Sequence, residues 1–243
     1  MCLNPNDLWL RSRKLASIIF TPILLQSQEA IYATHILTAN VYCRRLFGGK
    51  VYKLALSAST SCPNRDGTVG VGGCAFCSTG GSGDFTASAV FPVSRQIDEA
   101  KRTPGAKGEG LKCIAYFQSY TGTYGDLVLL ERIHTEAEEH SDIVSLSIAT
   151  RPDCLELDML AMLERLVAKK PLWVELGLQT SNEETAKRIN RGYPLSVYEK
   201  AMADMKVLGV HQITHIILGL PNEGRANMLG SLRMEQATAA PCP

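Results

Sequence analysis

Apolar residues gather along the chain in short runs separated by amphipathic stretches. Residues 51–59 (VYKLALSAS), 112–117 (KCIAYF), 143–149, 172–178 and 212–218 are mostly apolar at consecutive positions. Such runs mark strands buried on both faces. Helical patterns fill the gaps. Ser94 is the expected N-cap of a helix reaching Arg102, and Leu127 to Glu139 forms the next. Leu155 to Ala168 carries apolar residues at three- and four-residue spacing. Glu183 to Asn190 is closed by Gly192 as a C-cap, and Ser196 to Leu208 runs up to Gly209. Five strands interleaved with helices predict an α/β fold with a parallel sheet or barrel. A last helix begins around Arg225 to Leu232, but the closing ATAAPCP cannot form another βα unit. A barrel built from these units lacks its final strand. That edge is left open, is covered by the N-terminal segment, or reflects a truncated reading frame.

Length and composition change this picture little. A chain of 243 residues, 45% apolar and 20% charged, can bury a full core. With 25 basic against 24 acidic residues the net charge is +1, so no global electrostatic footprint for nucleic acid exists. Arg11, Arg13 and Lys14 precede an apolar run, Leu15 to Leu25, which imitates a secretory signal. Thr21 and Pro22 interrupt it, no clean A-x-A site follows, and it is too short to span a bilayer. Residues 1–40 are taken as a leader, poorly ordered or foreign to the domain; 41–228 as the core domain; and 229–243 as an irregular tail.

Eight cysteines are present, and three crowd into CPNRDGTVGVGGCAFC, as Cys62, Cys74 and Cys77. Cys2, Cys43, Cys113, Cys154 and Cys242 are scattered and read as incidental or buried thiols. A glycine-rich connector lets the three thiolates converge. Structural zinc needs four ligands, usually as two close pairs, and only one C-x2-C pair occurs. A thioredoxin-like pair would leave Cys62 without a role. Three thiolates without a fourth suit a 4Fe-4S cluster with one open iron. A zinc-stabilised binding module stays open as an alternative. GTVGVGG does not lead into a helix of a βαβ unit, so it fails as a nucleotide loop, and no Gly-x-Ser-x-Gly elbow, HExxH or P-loop occurs.

The strings CPNRDGT, YFQSYT, SIATRPD, ELGLQT, INRG and HIILGLP, in this order over about residues 41–228, resemble the radical S-adenosylmethionine (SAM) superfamily. Within it they resemble an uncharacterised bacterial branch akin to the elongator-type, tRNA-modifying domain. The C-x11-C-x2-C spacing departs from the usual C-x3-C-x2-C by a longer first gap. The resemblance implies an incomplete TIM-like (β/α) barrel in a cytoplasmic enzyme. Cys62, Cys74 and Cys77 would hold a 4Fe-4S cluster whose fourth iron is chelated by SAM. Reductive cleavage of SAM would yield a 5′-deoxyadenosyl radical that takes hydrogen from a substrate, with tRNA a candidate. A low-potential donor of flavodoxin or ferredoxin type is implied, and no membrane. A truncated, non-catalytic homologue is the other alternative.

Within that resemblance, groups at the C-terminal ends of barrel strands are the expected SAM contacts. Gln118 and Ser119 end the second strand. Ser147 and Arg151 flank the end of the third, where a guanidinium matches a carboxylate. Glu175 and Gln179 share a face of the fourth and suit ribose or substrate. Gly219 and Pro221, at the exit of the last strand, would pack on adenine. His215 is expected to be a satisfied buried histidine, and Arg188 and Arg191 to lie on a solvated basic face.

Overall fold

A computed structural model describes residues 18–20, 39–84, 86–102 and 110–238, with backbone only for 18–20 and 235–238. In chain order the elements are β1 (Ile18–Phe20), α1 (Ala39–Phe47), β2 (Val51–Leu56), α2 (Val93–Lys101), β3 (Lys112–Phe117), α3 (Leu127–Glu139) and β4 (Ile143–Thr150). There follow α4 (Leu157–Val167), β5 (Leu172–Gln179), α5 (Glu183–Arg188), α6 (Leu195–Val207), β6 (His211–Ile216) and α7 (Arg225–Thr238). β2 to β6 lie side by side in sequence order, every pair parallel. Each crossover carries a helix, as parallel neighbours require. The five predicted strands are these five, and the α/β expectation stands.

The free edge is covered by the N-terminal segment. β1 pairs antiparallel with β6, Ile18 opposite Ile216 and Phe20 opposite Thr214. The rest of residues 1–40 up to Thr38 lies outside the described residues, as do Cys2 and Cys242. The tail is not irregular as expected: α7 continues to Thr238. The N-cap of α2 lies two residues earlier than predicted, at Pro92 rather than Ser94. A 3-10 turn, Pro152–Cys154, stands before α4.

The helices cover the outer face of the sheet. α4 buries Leu160, Leu163 and Leu166, and α6 buries Tyr198, Ala201, Met202 and Met205, the three- and four-residue spacing of one helical face. Each buried Leu or Met among these contributes about 1.5–3 kcal/mol. On the inner face the lowest layer is Ile114, Trp173 and Ile213 with Cys43 of α1. Tyr42 and Phe47 of α1 close this end against Trp173, with ring centroids 5.9 and 6.5 Å apart. His211 stacks on Tyr42 there. The inner face is thus plugged at the N-terminal ends of the strands, and what remains open lies at their C-terminal ends. Among the described residues no helix is long and apolar enough to cross a membrane.

One core group carries a pH dependence. His134 of α3 is fully buried, edge-on to Phe117 at 4.6 Å, with no hydrogen-bond partner for either ring nitrogen among the described residues. Burial pushes its pKa down from 6.5 to about 4. The unfolded chain therefore binds the extra proton first, and stability falls as pH drops from 6.5 towards 4. The group is expected to remove about 2 kcal/mol between pH 7 and pH 5. Urea unfolding at the two pH values checks this: His134→Leu should flatten the decline, and an unchanged decline contradicts it.

Candidate functional site

Between β2 and α2 the chain makes a long excursion at the C-terminal edge of the sheet. Its entry is fixed by Gln96 of α2, which accepts from Ser57 N at 2.9 Å and donates to the Ser57 and Phe91 carbonyls at 3.1 and 3.0 Å. Thr60 Oγ1 donates to Ser119 O and Thr121 N to Ser61 O, tying the loop to the exit of β3. The Cys62 carbonyl then accepts from Arg65 N at 2.8 Å and Asp66 N at 3.2 Å. Pro63 O accepts from Val69 N and Gly70 N, and Asn64 O from Gly73 N at 2.8 Å. The eleven residues between Cys62 and Cys74 thus form a compact knuckle. It returns the chain beside its starting point, which is how the long first gap is closed.

Two clasps hold the knuckle. Arg65 donates to the Ser78 and Thr79 carbonyls and lies 5.6 Å from the Tyr120 ring. Asn190 Nδ2 donates to Gly73 O at 2.9 Å, and Ala75 N to Ile189 O at 2.9 Å. Gly81 and Gly192 allow the closest approaches. A Cβ on Gly81 would stand 2.3 Å from the Tyr120 ring, and one on Gly192 would stand 2.5 Å from Asn64 Oδ1. Both have φ in the left-handed region, +57° and +85°. Gly192 therefore serves contact between the α5–α6 turn and the knuckle, not a helix cap; α5 has already ended at Arg188. Gly192→Ala is expected to cost roughly 1–3 kcal/mol and to loosen the knuckle. Thermal melting and proteolysis between Pro63 and Gly73 measure this, and wild-type behaviour in both contradicts it.

Cys62, Cys74 and Cys77 all border one cavity. All three are free and half-buried. The neighbouring Cys74 and Cys77 thiols act on each other, which pulls Cys77 down to about 7 although burial opposes it, and which pushes Cys74 up. Arg65 adds to the lowering of Cys77. Arg151 stands on the same wall, buried, its Nε and Nη2 bound to Asp153 at 2.9 and 2.6 Å and its Nη1 to Arg191 O at 3.0 Å. Burial would favour its neutral form; the Asp153 carboxylate more than offsets this and keeps it charged. It is no surface salt bridge.

The inner wall holds a charged network. Glu175 of β5 is buried, and its Oε1 accepts from Lys53 of β2 and Ser147 of β4. Its Oε2 meets His215 Nε2 of β6 at 2.7 Å. Lys53 Nζ lies 3.6 Å from the Tyr116 ring centroid. Strand register brings these groups onto one face: Tyr116 stands opposite Ser147, and Gly177 opposite His215. Burial alone would raise the Glu175 pKa; the His215 hydrogen bond and the Lys53 charge reverse this and hold it at about 2.

The predicted residues divide accordingly. Gln118, Arg151, Glu175 and Gln179 border the cavity with the three cysteines. Ser119 does not: its hydroxyl turns away to Thr86 Oγ1 at 3.1 Å. Ser147 is buried beneath the cavity and engages Glu175. Gly219 and Pro221 are exposed and do not line it, because β6 ends at Ile216 and the chain turns outward. His215 is satisfied but not buried; it faces the cavity with 26% of its side chain exposed. Arg191, expected on a solvated face, is 1% exposed and donates to the Leu178, Thr180 and Tyr193 carbonyls. Lys53 is an addition outside every quoted string, and Asn64, Arg65 and Tyr116, though inside CPNRDGT and YFQSYT, were not singled out as site residues.

A family model described as the radical SAM superfamily matches residues 59–234, from the foot of the cysteine knuckle into α7. The chain belongs to this superfamily. YtqA of Bacillus subtilis, uncharacterized, is 42% identical over 192 residues, covering 79% of this chain and 60% of its own. YhcC of Escherichia coli is 37% identical over 189 residues, with 77% and 60% covered. The chain spans about 60% of the length of these curated relatives. Among solved structures, Elp3 of Methanocaldococcus infernus superposes with a TM-score of 0.53 at 17% identity, covering 79% of this chain and 44% of that one. The coproporphyrinogen III oxidase HemN of Escherichia coli, a radical SAM enzyme, gives 0.53 at 16%, covering 84% and 46%. At these identities the likeness is one of fold: radical SAM domains share the partial barrel seen here. Radical SAM proteins generally bind a 4Fe-4S cluster and SAM and draw on a reductant.

Proposed function

We propose that Cys62, Cys74 and Cys77 hold a 4Fe-4S cluster, that SAM binds in the adjoining cavity, and that the pair serves hydrogen abstraction from a substrate. The observation that carries this is the meeting of the three thiols on one cavity at the C-terminal ends of the strands. The residues fit such a group. Three half-buried free thiols border one cavity, the donor set of a cluster that takes each thiolate on a different iron and leaves one iron open. Arg65 and Arg151 border the same cavity and suit its negative charge.

When bound, the cluster and SAM supply one-electron cleavage of a sulfonium and a hydrogen-abstracting radical. The chain itself binds and orients. The side-chain amides of Gln118 and Gln179 border the cavity without a hydrogen-bond partner among the described residues, so both are available to hydroxyl or amino groups of the cofactor. Arg151, fixed by Asp153, presents its remaining N–H groups to a carboxylate. Glu175 has its oxygens occupied, so it holds Lys53 and His215 in place while His215 faces the bound molecules. A low-potential flavodoxin or ferredoxin would supply the electron, as in a cytoplasmic setting.

Anaerobic reconstitution with iron and sulfide tests the reading. About four irons per chain are expected, together with a reduced-cluster electron paramagnetic resonance signal that changes when SAM is added. Retained zinc without iron, or a signal indifferent to SAM, contradicts it. The tRNA suggested by the elongator-type likeness is checked separately, by salt-dependent binding of transfer RNA.

A further inference from the structure

Asn64 lies at the centre of the knuckle, fully buried. Of the two hydrogens on its Nδ2, one goes to Asn190 O at 2.6 Å, and the other is shared between Arg191 O and Cys74 Sγ, each at 3.3 Å. The two carbonyls demand a donor, which fixes the amide with nitrogen rather than oxygen towards the sulfur. Oδ1 points the other way and has no hydrogen-bond partner among the described residues. A buried amide that leaves its own oxygen unpaired gives up a hydrogen bond, and it does so here while directing N–H at a thiol.

Resting on the cluster reading above, we propose that Asn64 is a positioning residue that tunes the cluster through an N–H···S bond to Cys74. Reduction adds negative charge that spreads onto the ligand sulfurs, and a donor aimed at one of them stabilises the reduced form more than the oxidised form. Asn64 therefore raises the reduction potential and eases electron delivery. The same side chain anchors Cys74 to the turn at Asn190 and Arg191, so the long C-x11-C gap brings its own tuning group. Asn190 holds the knuckle through Gly73 O without touching sulfur, which separates holding from tuning.

The test is a redox titration of the reconstituted cluster in wild type, Asn64→Ala and Asn190→Gly. Asn64→Ala should make reduction roughly tenfold less favourable, about 59 mV for one electron. Asn190→Gly, which keeps the left-handed backbone at that position, should leave the potential unchanged. Equal potentials in wild type and Asn64→Ala at equal iron content overturn the proposal, as does an equal shift in both variants. If Asn64→Ala takes up no iron, pulsed resonance on reduced wild type with 15N in the asparagine side-chain amides decides. A coupled nitrogen supports the bond, and no coupling overturns it. A wild-type protein that takes up no iron removes the cluster reading itself, and this inference with it.

Discussion

Cys74→Ala is expected to abolish the iron content of the reconstituted protein and to bring SAM cleavage to background, while the fold survives. Cys74 is half-buried in a loop outside the main core, so its loss removes little packing. Its thiol cannot be replaced from nearby within the same wall, because Cys62 and Cys77 are the other thiols bordering the cavity. A cluster left with two protein ligands loses iron far more readily than one with three. Cys113→Ala is the control. That thiol is fully buried in the core on β3, so its loss should lower stability and leave iron uptake intact. Iron counts and thermal melts on both variants separate the roles. A Cys74→Ala protein that keeps its cluster contradicts the assignment.

Glu175→Gln is expected to destabilise the fold by about 3 kcal/mol at neutral pH, the lower end of the cost of breaking a buried ion pair. The lower end applies because Lys53, 29% exposed, can turn to solvent. Linkage gives the same size. A carboxyl held at about 2 instead of 4.5 contributes about 3 kcal/mol. Because the folded value is depressed, that contribution is complete above pH 4.5 and is lost as pH falls towards 2. The variant should melt roughly 10 °C below wild type at pH 7, and the gap should close between pH 4.5 and 2. A gap that is absent, or that does not narrow with acid, contradicts the network. His215 and Lys53 would lose their common partner, so substrate turnover should fall with stability.

Much of the frame was legible because parallel strands buried on both faces announce themselves as unbroken apolar runs. That the three thiols would meet was legible by spacing; Gln118, Arg151 and Gln179 reach the same cavity from strand ends, and Glu175 from the face it shares with Gln179. β1 was not, because three apolar residues inside a longer apolar run carry no strand signal of their own. Nothing around Lys53 in the first apolar run marks it; only the parallel register sets it beside Tyr116 and Glu175. Arg191 was misplaced because α5, ending at Arg188, is two residues shorter than its pattern, after which the chain turns inward instead of exposing the next arginine. Asn64 was illegible as a hub, since its carbonyl acceptors lie 126 and 127 residues away. Gly219 and Pro221 were placed by extending the last strand beyond Ile216, where the backbone leaves the sheet.

Quantifying the products of SAM under a strong reductant tests the proposed chemistry most directly. Reconstituted protein should release methionine and 5′-deoxyadenosine in equal amounts, dependent on iron and on all three thiols of the knuckle. Intact SAM after prolonged incubation with a fully loaded, reduced cluster would show that the chain keeps the barrel and its sulfur ligands without the reaction.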